Sequence, residues 1–360
     1  MKTRTLIPPL RLLALLVIPV LAGLAASEFR QASGPRWLAP TYDVEYPYLL
    51  TALRITEGLT IEHYHHPALP PAHAYAAVLG ALSLGRERAS FVRDVLARPE
   101  PFLHVLFLTS IVVGGGCLLG AGMIALRCTK SLGIAWLAQV APLLFVPGLE
   151  VFAGVSPDAW LIGLSSLFLS LTFFSPVQSR AWPILTGIVA ATGLATKLTF
   201  APLVLAPWLV ARQLRTRLLY GATFALSFLL WLLPLRSHFS DIVAFGAGIL
   251  TRRGDYGGGE VTTASQALAS ATGGLRLLLA QNKVPVALLG FGLLSRIAWG
   301  WRRRQDEPET AEDDDRARRL AVLLGVSCLD YLLVARQAYP RYLLPAIACV
   351  GPVQIGRAHV

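Results

Sequence analysis

Apolar runs separated by short polar or basic connections recur along the whole chain. The first spans Leu12 to Ala26, and others cover Phe102–Leu126, Leu132–Phe152, Ala159–Phe174, Trp182–Thr196, Leu198–Ala211, Leu218–Leu235, Val284–Trp299, Leu320–Ala335 and Leu343 onward. A helix needs about 20 apolar residues to cross a hydrocarbon core about 30 Å thick. Only helices and closed barrels satisfy their backbone groups in lipid. The pattern therefore predicts an all-α polytopic membrane helix bundle of about ten spans. Residues 27–101 are mixed in polarity and read as a long first external loop with juxtamembrane helices.

One piece of that loop, Ala68 to Leu84, is apolar enough to be weighed as a span. Charge decides against it. If it does not cross, the basic connections Arg127 to Lys130, Ser179-Arg180, Arg212 to Arg217 and Arg302 to Arg304 all fall on the cytoplasmic side; if it crosses, all fall outside. Pro67, Pro70 and Pro71 at its start also suit a juxtamembrane or re-entrant helix. With that parity Asp43, Ser156-Pro157-Asp158, Thr196-Lys197, the loop 236–283 and Arg336 to Tyr342 share the external side.

Composition agrees with a membrane chain: 54% of residues are hydrophobic, 15% are charged, and mean hydropathy is +0.57. The net charge of +11 resides in short runs between apolar segments, which argues against nucleic acid as a partner. Cys117, Cys128, Cys328 and Cys349 lie in or beside apolar runs with no CxxC spacing, and read as packing residues. Met1-Lys2-Thr3-Arg4 ahead of the first run places the N-terminus inside, the other reading being a signal peptide ending near Ser27. Ile355 to Val360 matches the translation of a sequencing adapter and interrupts the last apolar run. The expectation is one domain over 1–353, truncated at its C-terminus, with 354–360 an artefact.

The candidate chemistry collects on the external side. Asp43 and Glu45 precede an amphipathic helix with apolar positions Tyr46, Leu49, Leu50 and Leu53. Asp43 is either that helix's cap or a general base. His63, His65, His66 and His73 follow, as a polar loop or as groups for a cation or an anion. Asp158 reads as a helix-start carboxylate or as a second acid facing Asp43. Residues Trp182 to Ala211 are too few for two full crossings, so their turn should lie below the membrane surface and Lys197 should face a cavity or pair with an internal carboxylate. Arg336 and Arg341 suit phosphate oxygens or interfacial snorkelling. The Gly116–Gly120 spacing reads as close helix packing, and Gly257-Gly258-Gly259 as a mobile loop or a cover over substrate.

Asp43-Val44-Glu45-Tyr46, His65-His66-Pro67, Pro157-Asp158, Gly193 to Lys197 and Arg341-Tyr342-Leu343-Leu344-Pro345 occur in an order that resembles the membrane glycosyltransferases of the GT-C fold. The closer resemblance is to the protein O-mannosyltransferase and lipid A aminoarabinose transferase group, across most of residues 7–353. It implies an enzyme of the inner or plasma membrane that takes a sugar from a polyprenyl-phosphate donor to an acceptor outside, with inversion. Asp43 would be the base, with Glu45 its alternative, Asp158 a second acid, and Lys197, Arg336 and Arg341 the lipid-phosphate ligands. His65, His66 and Tyr342 would belong to the substrate loop. Members of the group differ in their use of a divalent metal, and none is expected to be obligatory here. Val44 departs from the group, where an acid often adjoins the first-loop Asp. The competing expectation is a transporter or flippase of lipid-linked sugars, although no internal repeat is evident. A non-catalytic assembly partner is a third, with Glu312 to Asp315 as its docking run or merely a solvated face.

Overall fold

The computed structural model describes residues 9–35, 45–62, 68–143, 146–251 and 311–334, together with positions 265, 269, 272, 273, 276 and 280. Its elements are all helical: α1 (Pro9–Ala32), α2 (Tyr46–Thr56), α3 (Leu69–Ser83), α4 (Arg88–Ala97), α5 (Pro99–Thr129), α6 (Leu132–Val140), α7 (Val146–Phe152), α8 (Pro157–Phe174), α9 (Ala181–Thr196), α10 (Ala201–Val210), α11 (Leu214–Leu232), α12 (Phe239–Thr251) and α13 (Ala311–Val334). Among the described residues, four helical stretches are long and apolar enough to cross a bilayer: Pro9–Ala32, Pro99–Thr129, Pro157–Phe174 and Leu214–Ala244. This is the composition of a membrane protein.

α5 and α8 form the centre. α5 has Pro99 at its start, where a missing N–H costs nothing, and Glu100 in its first turn. It stops at Lys130, which turns left-handed at φ 60° and returns its N–H to Leu126 O at 2.8 Å. α5 and α8 run parallel and touch backbone to backbone. A Cβ at Gly163 would lie 2.6 Å from Gly114 O, so the contact exists only because Gly163 lacks one. The close approach therefore falls at Gly114 and Gly163. A Cβ at Gly116, half of the expected GxxxG pair, would meet nothing within 4 Å among the described residues, while one at Gly120 would lie 3.2 Å from Leu167.

α1 packs antiparallel to α5, with Gly23 beside Ile111 and Pro19 beside Gly115. Pro19 removes the N–H that Leu15 O would accept within the helix. Gln139 Nε2 of α6 replaces it at 3.0 Å, and Trp136 Nε1 donates to the adjacent Ala14 O at 2.9 Å. Gly122 makes this reach possible, since a Cβ there would sit 2.6 Å from Gln139 Nε2.

The segment Leu132–Phe152 is not one helix. It divides into α6, a 3-10 turn at Ala141–Leu143 and α7, as Pro142 and Pro147 withhold two backbone donors. α2 also differs in detail from its expected face: Tyr48, Leu49, Ala52 and Leu53 are buried and Leu50 is exposed. α3 covers most of Ala68 to Leu84. At 15 residues it is about 22 Å long, short of a crossing, and it buries Tyr75 and Leu79 in the core.

Contacts order the bundle into two ends. α9 is antiparallel to α8, since Trp182 Nε1 donates to Leu171 O while Lys197 reaches Asp158. α11 runs parallel to α9, with Gly187 against Tyr220 and Thr223 and with Trp231 Nε1 on Thr192 Oγ1. At one end α13 brings Arg319 Nη1 to Phe173 O and Ser175 O at 2.8 and 3.2 Å, and Arg318 to Leu209 O. These guanidinium groups complement the negative C-termini of α8 and α10. Arg127, Arg212 and Arg217 adjoin helix ends there. The start of α8 and the end of α9 lie at the opposite end.

Candidate functional site

The connection from α7 to α8, Ala153 to Ser156, is the hub of that opposite end. α1 reaches it through Arg30, in the last helical turn. The Arg30 guanidinium donates Nη1 to Glu45 Oε1 and Nη2 to Glu45 Oε2, both at 3.0 Å, and Nη1 again to Ala153 O at 3.1 Å. Its cation lies 4.9 Å from the centre of the Phe107 ring. Glu45 Oε1 also accepts the Val155 N–H at 3.0 Å. Arg30 is 7% exposed and Glu45 4%, so the pair is out of water. A planar fork against a carboxylate, with backbone groups taking further bonds, is the geometry in which such burial is tolerable.

Glu45 stands immediately before α2 and makes no side-chain capping bond to it. Its carboxylate serves the tertiary contact instead. Pro47 lies in the first helical positions, as expected, and Tyr46 OH donates to Glu100 at 3.2 Å. Partial burial, then the Glu100 carboxylate, push the Tyr46 phenol above its ordinary pKa.

Asp158 and Lys197 form a second buried pair. Lys197 Nζ donates to Asp158 Oδ1 at 2.6 Å and Oδ2 at 2.7 Å, with exposures of 5% and 1% for the two residues. Asp158 occupies the first turn of α8 and Lys197 follows the last residue of α9. Each charge therefore sits at the helix end whose dipole favours it. α9 gives way to extended backbone at Lys197 (φ −161°, ψ 140°), followed by a 3-10 turn at Leu198–Phe200 and then α10. Gly193 permits this fold-back: a Cβ there would lie 2.6 Å from the Phe200 ring. The 16 and 10 residues of α9 and α10 extend about 24 and 15 Å, so neither crosses a bilayer alone.

The two pairs meet through the chain, since Ala153 and Val155 bind Arg30 and Glu45 while Asp158 begins α8. Beside them the Tyr75 hydroxyl lies 2.5 Å from Ser110 Oγ, and Tyr75 packs edge-on against Trp160. His73 is tethered through Nδ1 to Leu69 O at 2.8 Å and lies by Trp231.

Of the expected site residues, the structure brings Glu45, Asp158 and Lys197 to one end of the bundle. Asp43, His65, His66, Arg336, Arg341 and Tyr342 lie outside the described residues, as do His63 and the Gly257 to Gly259 stretch. The described residues contain no group of three His, Cys, Asp or Glu side chains placed to hold a metal. Sequence reasoning missed Arg30, which looks like a flanking charge after an apolar run. It also missed Asp330, buried within α13, although a carboxylate inside an apolar helix is by itself a signal.

Comparison with protein families, curated proteins and solved structures finds no match to this chain.

Proposed function

We propose that this chain is a membrane glycosyltransferase that moves a sugar from a polyprenyl-phosphate carrier to an acceptor hydroxyl at the external face of the membrane. The observation that carries the reading is the buried Lys197–Asp158 pair in a helix break, at the same end as the anchored Glu45. A buried lysine in an apolar protein marks a place where negative charge is met. The order of Asp43, Pro157-Asp158, Lys197 and Arg341 resembles the GT-C transferases described above.

In this mechanism Asp43 accepts the proton of the acceptor hydroxyl as its oxygen attacks the anomeric carbon. The bond from that carbon to the carrier phosphate breaks on the opposite side, which inverts the centre. The electron pair leaves with the phosphate, whose growing charge is met by Lys197 and, in this reading, by Arg336 and Arg341. Asp158 holds the ammonium group in place until the phosphate arrives.

Transfer from polyprenyl-phosphate sugars in vesicles tests the assignment. Asp43→Asn should lower turnover on the order of 10²- to 10⁴-fold with the protein still folded. Undiminished turnover would remove Asp43 from the mechanism. Sidedness has its own test: an impermeant thiol reagent outside should label a cysteine placed at Asp94 but not one at Gln213, and the reverse pattern would reverse the site.

The interrupted helices α6–α7 and α9–α10 favour one competing reading, a flippase of lipid-linked sugars. Movement of a labelled lipid sugar between leaflets without formation of a glycosidic bond would select it.

A further inference from the structure

We infer that Asp330 is a further charged residue of the Lys197 site, a positioning residue that holds the ammonium from α13 while Asp158 holds it from α8. The inference deepens the proposed transfer, on which its kinetic half rests. Its structural half rests on how α13 packs.

Asp330 is 0% exposed. A carboxylate buried in an apolar bundle is costly unless a cation or several donors meet it. The buried cations among the described residues are Arg30 and Lys197. α13 packs on α10 and on the turn Leu198–Phe200 that follows Lys197 directly.

Helix geometry sets the level. Arg318 reaches Leu209 O near the end of α10, and from there α13 runs antiparallel to α10. The rise from Arg318 to Asp330 is about 18 Å, and the path back along α10 and the 3-10 turn to Lys197 is also about 18 Å. α8 gives a similar level. Arg319 binds Phe173 O, and Asp330 lies about 16 Å beyond Arg319, against about 22 Å from Phe173 back to Asp158. The difference is about one helical turn, which the length of the Arg319 side chain covers.

The face agrees with the level. Arg319, Leu323, Val326 and Asp330 fall at i, i+4, i+7 and i+11, one stripe of α13. Leu323 and Val326 lie in the core that also contains Phe200, Leu203 and Leu161. The stripe that carries Asp330 therefore faces the elements that carry Lys197 and Asp158.

An ammonium has three hydrogens to give. Two are directed at Asp158 Oδ1 and Oδ2. A third given to Asp330 fixes the charge between α8 and α13, where one carboxylate alone would let the flexible lysine stem swing. The two acids are not equivalent. Asp158 stands in the first turn of α8, whereas α13 continues for another turn beyond Asp330. An arriving phosphate oxygen displaces Asp158, and Asp330 keeps Lys197 at the level of the helix break.

The test uses the full chain. Asp330→Leu is made in the parent and in Lys197→Met, and thermal unfolding is followed in detergent. In the parent it should lower the midpoint by at least about 5 °C, since Lys197 loses a counter-charge. In Lys197→Met it should raise the midpoint, since it removes one of the two carboxylates left without their lysine. Asp330→Asn serves for kinetics in vesicles. Its KM for polyprenyl-phosphate sugars should rise at least about tenfold with kcat changed less than about threefold, a split that a merely structural role does not produce. Asp330→Glu should recover most of that KM.

If Asp330→Leu lowers the midpoint equally in both backgrounds, another group meets Asp330 and the inference is overturned. A reversed sign with an unchanged donor KM in Asp330→Asn overturns the positioning role. If the sign reverses but the parent transfers no sugar, the charge cluster stands and the proposed transferase function fails.

Discussion

The two buried ion pairs lie at the same end of the bundle but are built from different cations. Arg30 and Glu45 are held by parallel bonds, a backbone carbonyl, a backbone N–H and an aromatic face. Lys197 brings a compact ammonium to both oxygens of Asp158, with each partner at a favourable helix end. A guanidinium fork fixes geometry, whereas an ammonium is a point charge on a flexible stem that can turn toward another anion. The first pair has the form of a joint, and the second of a charge that can be handed over.

Removing one partner is the strongest way to break this contrast. Arg30→Met or Lys197→Met should each cost about 3–5 kcal/mol, because each leaves a buried carboxylate without the cation it binds. Unfolding in detergent, followed by temperature or denaturant, measures this. Removing both partners should separate the two sites. Lys197→Met with Asp158→Leu should regain most of the stability but, on the proposed transfer, raise KM for the lipid donor, since Lys197 is there the proposed phosphate ligand. Arg30→Met with Glu45→Gln leaves Lys197 and Asp158 in place and should instead retain that KM. If both double variants shift the same kinetic constant, the distinction between joint and exchangeable charge is wrong.

How much of this was legible in the sequence differs between the pairs for a physical reason. Lys197 could be read because a length argument, too few residues for two crossings, forces it into a low-dielectric setting, and an internal carboxylate was one of its expected partners. Pro157 and Asp158 announced the start of α8 by local chemistry. Arg30 could not be read, because its partners include Ala153, which lies 123 positions away and contributes only a backbone carbonyl. No residue type marks such a group. The helix break within Leu132–Phe152 was readable from Pro142 and Pro147 but was masked by the continuous apolar pattern. The crossing at Gly163 was similarly hidden, since an isolated glycine carries no spacing signal and matters only through Gly114 O on the facing helix.

A smaller perturbation sharpens the comparison without removing charge. Phe107 is fully buried and supports the Arg30 cation. Phe107→Leu should cost about 2–3 kcal/mol from the lost ring contact and the cavity. It should follow the Arg30 pair in leaving the donor KM unchanged. A change confined to KM would mean that Phe107 acts on the phosphate side instead.

The least effect is expected where the same chemistry stands in water. Asp94 accepts from Arg86 Nη2 at 2.8 Å and also pairs with Arg98, in the connection between α3 and α5. Hydrogen bonds from Arg86 and then Arg98 hold its carboxyl below the ordinary aspartate range. For a carboxylate depressed in the folded state, the stabilisation is present above the unfolded pKa and fades as pH falls through the folded one. Parent and Asp94→Asn should therefore differ most near neutral pH and converge on acidification. Exposure and salt screening should keep even the neutral-pH difference small, and added salt should shrink it further. The buried pairs should resist added salt, because the screening ions do not reach them. A salt-sensitive Arg30 pair would place water at its carboxylate and undo the contrast with Asp94.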